Sequence, residues 1–254
     1  MKIDFKTDSG KKRDHNEDSI IVDGKKGIIL LADGMGGRQS GEVASRMAVE
    51  VAYEYLFYAL EENVAESDIF RILKEAFVKA HDAIKICSQN VIDLTGMGTT
   101  LILAIVKCDV AYICHAGDSR VYLTRRNMKQ ITKDHTVANY LAEHDKMRSE
   151  EIPEKLHHTL TQAVGVTDKI HPDINTVPLK TGDVLLFCSD GLTDMLNDKE
   201  IEKIIKKYRK KEFDKTAAAL VEAANEKGGK DNISVVLVKQ GTAETELECV
   251  FFRL

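Results

Sequence analysis

Three apolar runs in this chain carry an aspartate at one end. They read Ile28-Ile29-Leu30-Leu31-Ala32-Asp33-Gly34, Val184-Leu185-Leu186-Phe187-Cys188-Ser189-Asp190-Gly191 and Asp231-Asn232-Ile233-Ser234-Val235-Val236-Leu237-Val238. Short apolar runs bounded by Gly, Asp and Asn read as buried strands. A carboxylate at the rim of a hydrophobic layer carries a desolvation penalty unless something pairs with it. A divalent cation is the common partner that satisfies several carboxylates at once, so a metal site is the first reading of the pattern.

The remaining periodicities supply the frame around those strands. Ser19–Asp23 and Gly27–Ala32 are separated by Asp23-Gly24-Lys25-Lys26, a hairpin spacing. Helical periodicity follows over Gly41–Leu60, through Val43, Ala44, Met47, Val51, Tyr55 and Leu56, and again over Ile69–Ile86. Strand-like runs return at Thr99–Val106, Val110–His115, Arg120–Thr124, Asp183–Cys188 and Ile233–Lys239, with helical stretches at Asp198–Lys207 and Phe213–Asn225. Strands and helices come in groups rather than in strict alternation, which predicts an α+β fold with antiparallel sheet.

At 254 residues the chain has room for one large domain or two small ones. Three prolines, no linker and no repeat argue for a single domain over 1–241 with a tail over 242–254. Residues 133–172 form a polar insertion carrying His135, His144, His157 and His158, with a short helical pattern around Val137–Met147. Long irregular insertions in compact domains are usually functional or mobile. The histidines fit no linear ligand spacing apart from the adjacent pair.

A formal net charge of -5 disfavours nucleic acid or an anionic membrane as partner. No apolar run approaches the length of a membrane span, and the N-terminus lacks a signal-peptide core. Five cysteines without a C-x-x-C pair point to a reducing, cytoplasmic setting without disulfides or structural zinc.

Carboxylate oxygens suit Mg²⁺ or Mn²⁺ rather than zinc. Two such ions lower the pKa of a shared water and clamp a phosphoryl group. Gly34, after Asp33, permits close backbone approach, so its carbonyl is a further candidate ligand. Arg13, in Arg13-Asp14-His15-Asn16-Glu17-Asp18, is the natural fork for a phosphate beside such a site. Ala116-Gly117-Asp118-Ser119-Arg120 is a tight turn between two strand-like runs.

Together these segments resemble the metal-dependent protein phosphatases, the type 2C Ser/Thr family. The family's R-x-x-x-E-D is met by Arg13, Glu17 and Asp18, and its D-G-x-G-G by Asp33 to Gly37. Its G-T-T is Gly98-Thr99-Thr100, and its G-D-S-R is Gly117 to Arg120. Ser189 to Asp194 match S-D-G-L-x-D, and Asp231-Asn232 the closing D-N. The order is kept from residue 13 to residue 232. The resemblance implies a four-layer αββα sandwich of two antiparallel sheets flanked by helix pairs, with the polar insertion as a flap. It implies that Asp33 bridges two ions, that Asp190 and Asp231 hold the first, and that Asp18 and the Gly34 carbonyl serve the second, with Glu17 close by. Asp118, Asp194 and Asp190 would form a third, weaker site. Arg13 would bind substrate phosphate while a metal-bridging hydroxide attacks phosphorus in line, with Arg13, Asp33 and Asp118 the residues closest to the chemistry. Where some members carry a histidine as general acid, this chain has Met35, and a water on the third ion is the expected substitute. The implied substrates are phosphoserine and phosphothreonine proteins, those of a Ser/Thr kinase, acted on by a monomer.

Other readings compete. Cys114-His115-Ala116-Gly117-Asp118-Ser119-Arg120 matches the C-x-x-G-x-x-R loop of cysteine-dependent phosphatases. That chemistry needs a low-pKa thiolate at a helix N-terminus, whereas the residues that follow read as a strand. A catalytically inactive pseudophosphatase that binds a partner would have no use for a full set of mutually repelling carboxylates. A small-molecule phosphoesterase would use the same core chemistry.

Overall fold

The computed structural model describes residues 1–36, 40–60, 64–148 and 151–241, and the backbone alone of 251–253. The chain begins with strands β1 (Lys2–Asp8), β2 (Asp18–Asp23) and β3 (Ile28–Met35), then helices α1 (Ser40–Ala59) and α2 (Glu66–Asn90). Strands β4 (Gly98–Thr99), β5 (Leu101–Lys107), β6 (Val110–Ala116), β7 (Arg120–Thr124) and β8 (Met128–Gln130) follow. The polar segment holds helices α3 (Val137–His144) and α4 (Glu154–His157) and leads into β9 (Asp173–Pro178). The last part comprises β10 (Val184–Cys188), α5 (Asp190–Thr193), α6 (Asp198–Tyr208), α7 (Thr216–Glu226), β11 (Ile233–Lys239) and β12 (Phe251–Arg253).

The apolar runs are continuous because both faces of the central strands are buried against different neighbours. In β2 and β3, Ile20, Val22, Ile29 and Leu31 point into the layer between the two sheets. Their sequence neighbours Ile21, Ile28, Leu30 and Ala32 point the other way, onto α1 and α2. In β10 and β11, Leu185, Phe187, Val236 and Val238 face the inter-sheet layer. Val184, Leu186, Val235 and Leu237 face α6 and α7. Truncating the fully buried Phe187 to Ala in that inner layer costs about 3–5 kcal/mol.

The result is four layers. One antiparallel sheet runs β1-β11-β10-β7-β8 and the other β12-β2-β3-β5-β6-β9, with β4 paired to β3. Helix α1 lays Ala44, Ala48, Ala52 and Leu56 on the second sheet, and α2 adds Leu73, Phe77 and Ile84. Small residues on α1 let it lie close. On the opposite outer face α6 buries Ile201 and Ile205, and α7 buries Leu220 and Val221. Asn197 and Glu200 start α6 with a reciprocal capping box. The expected αββα sandwich is therefore the observed architecture.

Some elements depart from the sequence-based expectation. β1 and β9 were not foreseen because each is a half-exposed strand with few apolar residues. The expected Phe213–Asn225 helix is a 3-10 turn at Phe213–Lys215 followed by α7. The helical pattern around Val137–Met147 ends early, at His144. Residues 242–250 and 254 of the tail, and Gly37 of the D-G-x-G-G motif, lie outside the described residues. The backbone of 251–253 adds an antiparallel strand beside β2. Among the described residues no helix is long and apolar enough to cross a membrane.

Candidate metal centre

Strand register brings the acidic residues to one end of the sandwich. Asp18 opens β2 and lies directly across from Asp33 in β3. In the other sheet, Cys188 of β10 is paired with Arg120 of β7 and Val235 of β11. Asp190 leaves β10 just past that point, and Asp118 and Asp231 precede β7 and β11, so all three emerge at the same edge. The Ser189 hydroxyl joins the sheets there, donating to Asp18 Oδ2 at 2.8 Å and accepting from the Ser234 amide at 3.0 Å.

Polar residues around the aspartates fix their backbone. The Asp33 amide donates to Thr100 Oγ1 at 3.0 Å, and the Thr99 hydroxyl donates to the Asp33 carbonyl at 2.8 Å. Thr100 Oγ1 lies 2.8 Å from Ser119 Oγ, beside Asp118. Asn232 holds the segment that carries Arg13 and Glu17: its Oδ1 accepts from the Glu17 amide at 2.8 Å. Its Nδ2 donates to the Ser9 and His15 carbonyls at 3.0 and 2.8 Å. A methyl group on Gly34 would lie 2.1 Å from the Gly41 carbonyl oxygen and 2.7 Å from that of Glu17, so only glycine fits there.

Charge is concentrated far beyond what the surroundings neutralise. Burial, followed by repulsion from Asp18, Asp190, Asp118 and Asp231, holds the Asp33 carboxyl well above the ordinary carboxylate range. Asp190 is also held well above that range, by burial and then by Asp118, Asp194, Asp231 and Asp18. Burial pushes Asp18 up to about 6, against the hydrogen bonds of Ser234 and Ser189. Asp118 is also pushed up to about 6, by burial and by Asp134. Glu17 and Asp194 are raised by burial, opposed by Arg13 and His158 respectively.

Arg13 Nη2 lies 2.7 Å from Asp231 Oδ2, with both side chains open to solvent. The arginine is thus placed at the mouth of the acidic centre with donors to spare. Beside the centre, a cleft of about 460 Å³ is lined by Asp118, Asp190 and Asp194, and by His157 and His158 of the polar segment. Arg120, of the G-D-S-R turn, is turned away into a bidentate pair with Asp134, its Nε 3.0 and 2.8 Å from the two oxygens.

All the sequence-predicted ligand positions meet at this edge. Several residues that hold them had less obvious signals: Ser189 and Asn232 sit inside recognised motifs, but their bonding roles appear only in the fold. His158 belongs to the adjacent histidine pair, the one exception to the lack of ligand spacing in that segment. Cys114 lies within β6, fully buried on the face toward α2, and burial pushes its thiol up to about 12. That is the opposite of what a nucleophilic cysteine requires.

The donor set fits divalent cations. Among the described residues Asp18 Oδ1 is buried with no hydrogen-bond partner, an oxygen that a cation would satisfy. Neighbouring aspartates add to burial in raising the Asp33 and Asp190 carboxyls, which is costly in the absence of positive charge. The donors at the core are oxygens, the preference of hard ions.

Two stacked antiparallel sheets, helix pairs on both outer faces and an acidic centre at one edge are the arrangement expected of a metal-dependent phosphatase sandwich. The family "Protein phosphatase 2C" matches residues 9–237. The serine/threonine phosphatase stp of Listeria innocua is 37% identical over 253 residues, covering 94% of this chain and 96% of its own. The solved structure of the S. agalactiae serine/threonine phosphatase superposes with a TM-score of 0.85 at 32% identity, covering 93% of this chain and 98% of that one. The catalytic domain of the phosphatase PstP, solved with two manganese ions, superposes with a TM-score of 0.79 at 31% identity, covering 94% and 97%. This chain belongs to the protein phosphatase 2C family.

Proposed function

We propose that the carboxylate centre holds the divalent cations with which this enzyme hydrolyses phosphoserine and phosphothreonine in proteins. The activity class, a serine/threonine phosphoprotein phosphatase dependent on divalent metal, is that of its relatives. Asp33, on which four other aspartates act, would be the ligand shared by the cations. Asp190 and Asp231 serve one ion, and Asp18, Glu17 and the Gly34 carbonyl the other. Asp118, Asp190 and Asp194 form a third position beside the cleft. The cations are Mn²⁺ or Mg²⁺, and when bound they supply the charge that acidifies water and neutralises a phosphoryl group.

The chain's own residues do the rest. Arg13 offers its guanidinium to the substrate phosphate, and Asp231 orients it. Thr99, Thr100 and Ser189 hold the ligand backbone and side chains in place before any ligand arrives, so little reorganisation is needed on binding. The substrate approaches between Arg13 and the polar segment, which serves as a flap over residues 133–172 of a single catalytic domain spanning 1–241. The enzyme acts as a monomer, opposite a Ser/Thr kinase.

The observation that carries this reading is the buried Asp18 oxygen that has no partner among the described residues, beside further acidic side chains. Turnover of p-nitrophenyl phosphate and of a phosphothreonine peptide with Mn²⁺ tests it. Activity is lost in EDTA and in Asp33→Ala, and persists in Cys114→Ser. Full activity of Asp33→Ala would overturn the reading.

A further inference from the structure

One histidine of the polar segment stands among the acidic ligands. A ring nitrogen of His158 and carboxylate oxygens of Asp190 and Asp194 all lie within 4.8 Å of one another, close enough to share one ion. His158 Nδ1 is 3.8 Å from Asp194 Oδ2. Its other nitrogen, Nε2, faces Glu154 Oε1 at 3.9 Å, one helical turn earlier in the chain. Each ring nitrogen thus faces a carboxylate, and Nδ1 is the one turned toward the aspartates. With an ion on Nδ1, Glu154 would stand behind Nε2, the usual outer-shell position for a carboxylate beside a ligating imidazole. His158 and Asp194 are both partly exposed, which gives an ion a path in.

We propose that His158 supplies a nitrogen ligand, through Nδ1, to a cation held with Asp190 and Asp194, and that this mixed donor set selects a first-row transition dication over Mg²⁺. The inference rests on the carboxylate centre holding cations, as proposed above. Mg²⁺ keeps its waters and favours oxygen donors, whereas imidazole adds affinity for the transition series. The core ligands are all oxygens and carry no such bias, so selectivity resides at this outer position. The other histidine grouping, His115, His135 and Asp173, lacks this arrangement. There His135 Nδ1 accepts from the Gly117 amide at 3.3 Å, so the proton sits on Nε2, facing Asp173 rather than offering a lone pair.

The test uses the full untagged chain loaded with Mn²⁺, read by pulsed electron paramagnetic resonance and by titration calorimetry. Wild type shows nitrogen modulation on bound Mn²⁺, and His158→Gln loses it. The weakest Mn²⁺ site of His158→Gln binds at least about tenfold less tightly, while Mg²⁺ affinity changes less than about twofold. Glu154→Gln keeps the modulation and weakens Mn²⁺ binding. Because His158 is half exposed, both variants retain the wild-type thermal midpoint in EDTA. Stoichiometric Mn²⁺ binding without nitrogen modulation in wild type overturns this inference alone. Equal losses of Mn²⁺ and Mg²⁺ affinity in His158→Gln overturn the selectivity. A wild-type chain that takes up no Mn²⁺ overturns this inference and the reading of the core together.

Discussion

Crowding carboxylates at the rim of two sheets makes the metal-free protein a poor acid-to-neutral survivor, and the size of the effect can be worked from Asp18. Its carboxyl, ordinarily near 3.8, is pushed up to about 6 in the fold, chiefly by burial. The folded protein therefore holds a proton that the unfolded chain releases between those values. Stability from this group is fully present below pH 3.8, declines as pH rises, and is gone above about 6. At about 1.36 kcal/mol per tenfold change in proton affinity, the loss amounts to about 3 kcal/mol. For a domain of this size that is about 6–12 °C in the unfolding midpoint. The assay is thermal unfolding in EDTA from about pH 4.5 to 7.5, on wild type and Asp18→Asn, with the window set by linkage. Asparagine keeps an acceptor for the Ser189 hydroxyl but never ionises. Because the window opens above the unfolded value, the wild-type midpoint falls by about two-thirds of that amount more than the variant's across it. Adding Mn²⁺ at the upper pH restores wild type, because a ligand that binds only the folded state stabilises it by mass action. Asp18→Asn recovers less. Parallel curves for the two proteins in EDTA would refute the reasoning.

Arg13→Ala lowers kcat/KM for a phosphopeptide by about 10–100-fold, the worth of a charge-assisted phosphate contact, in steady-state assays with saturating Mn²⁺. The thermal midpoint of that variant barely moves, since the Arg13–Asp231 pair is solvent-exposed. Gly34→Ala destabilises the fold by several kcal/mol in urea titrations, because its methyl would sit 2.1 Å from the Gly41 carbonyl oxygen. Asp118→Asn, with Met35 unable to donate a proton, lowers kcat and shifts the acid limb of the pH–rate profile; an unchanged limb would remove the third position from the chemistry.

Legibility in the sequence tracked burial. Strands β3, β5, β10 and β11 were readable because both their faces are covered, so nearly every residue is apolar. β1, with Ile3 and Phe5 spaced among charged residues, and β9, at the sheet edge, gave too weak a pattern to separate from loop. The ligand aspartates were readable for the converse reason: an acid joined to an apolar run is locally anomalous. Ser189, Thr100 and Asn232 were not readable as supports, because hydroxyls and amides are ordinary turn residues until their partners are known.

By itself, then, the sequence determined which residues are buried, where strands deliver carboxylates, and the family whose motifs they match. These follow from local chemistry, since solvation penalties and periodicity act on neighbours along the chain. Only the tertiary structure decided how the carboxylates meet. It alone showed that Asp18 faces Asp33 across a ladder, that Ser189 bridges the sheets and that Arg13 reaches Asp231. It also set His158 beside Asp194, 36 positions further along the chain. Electrostatic coupling depends on distance in space, and that distance is set by strand register and sheet packing rather than by any spacing along the chain.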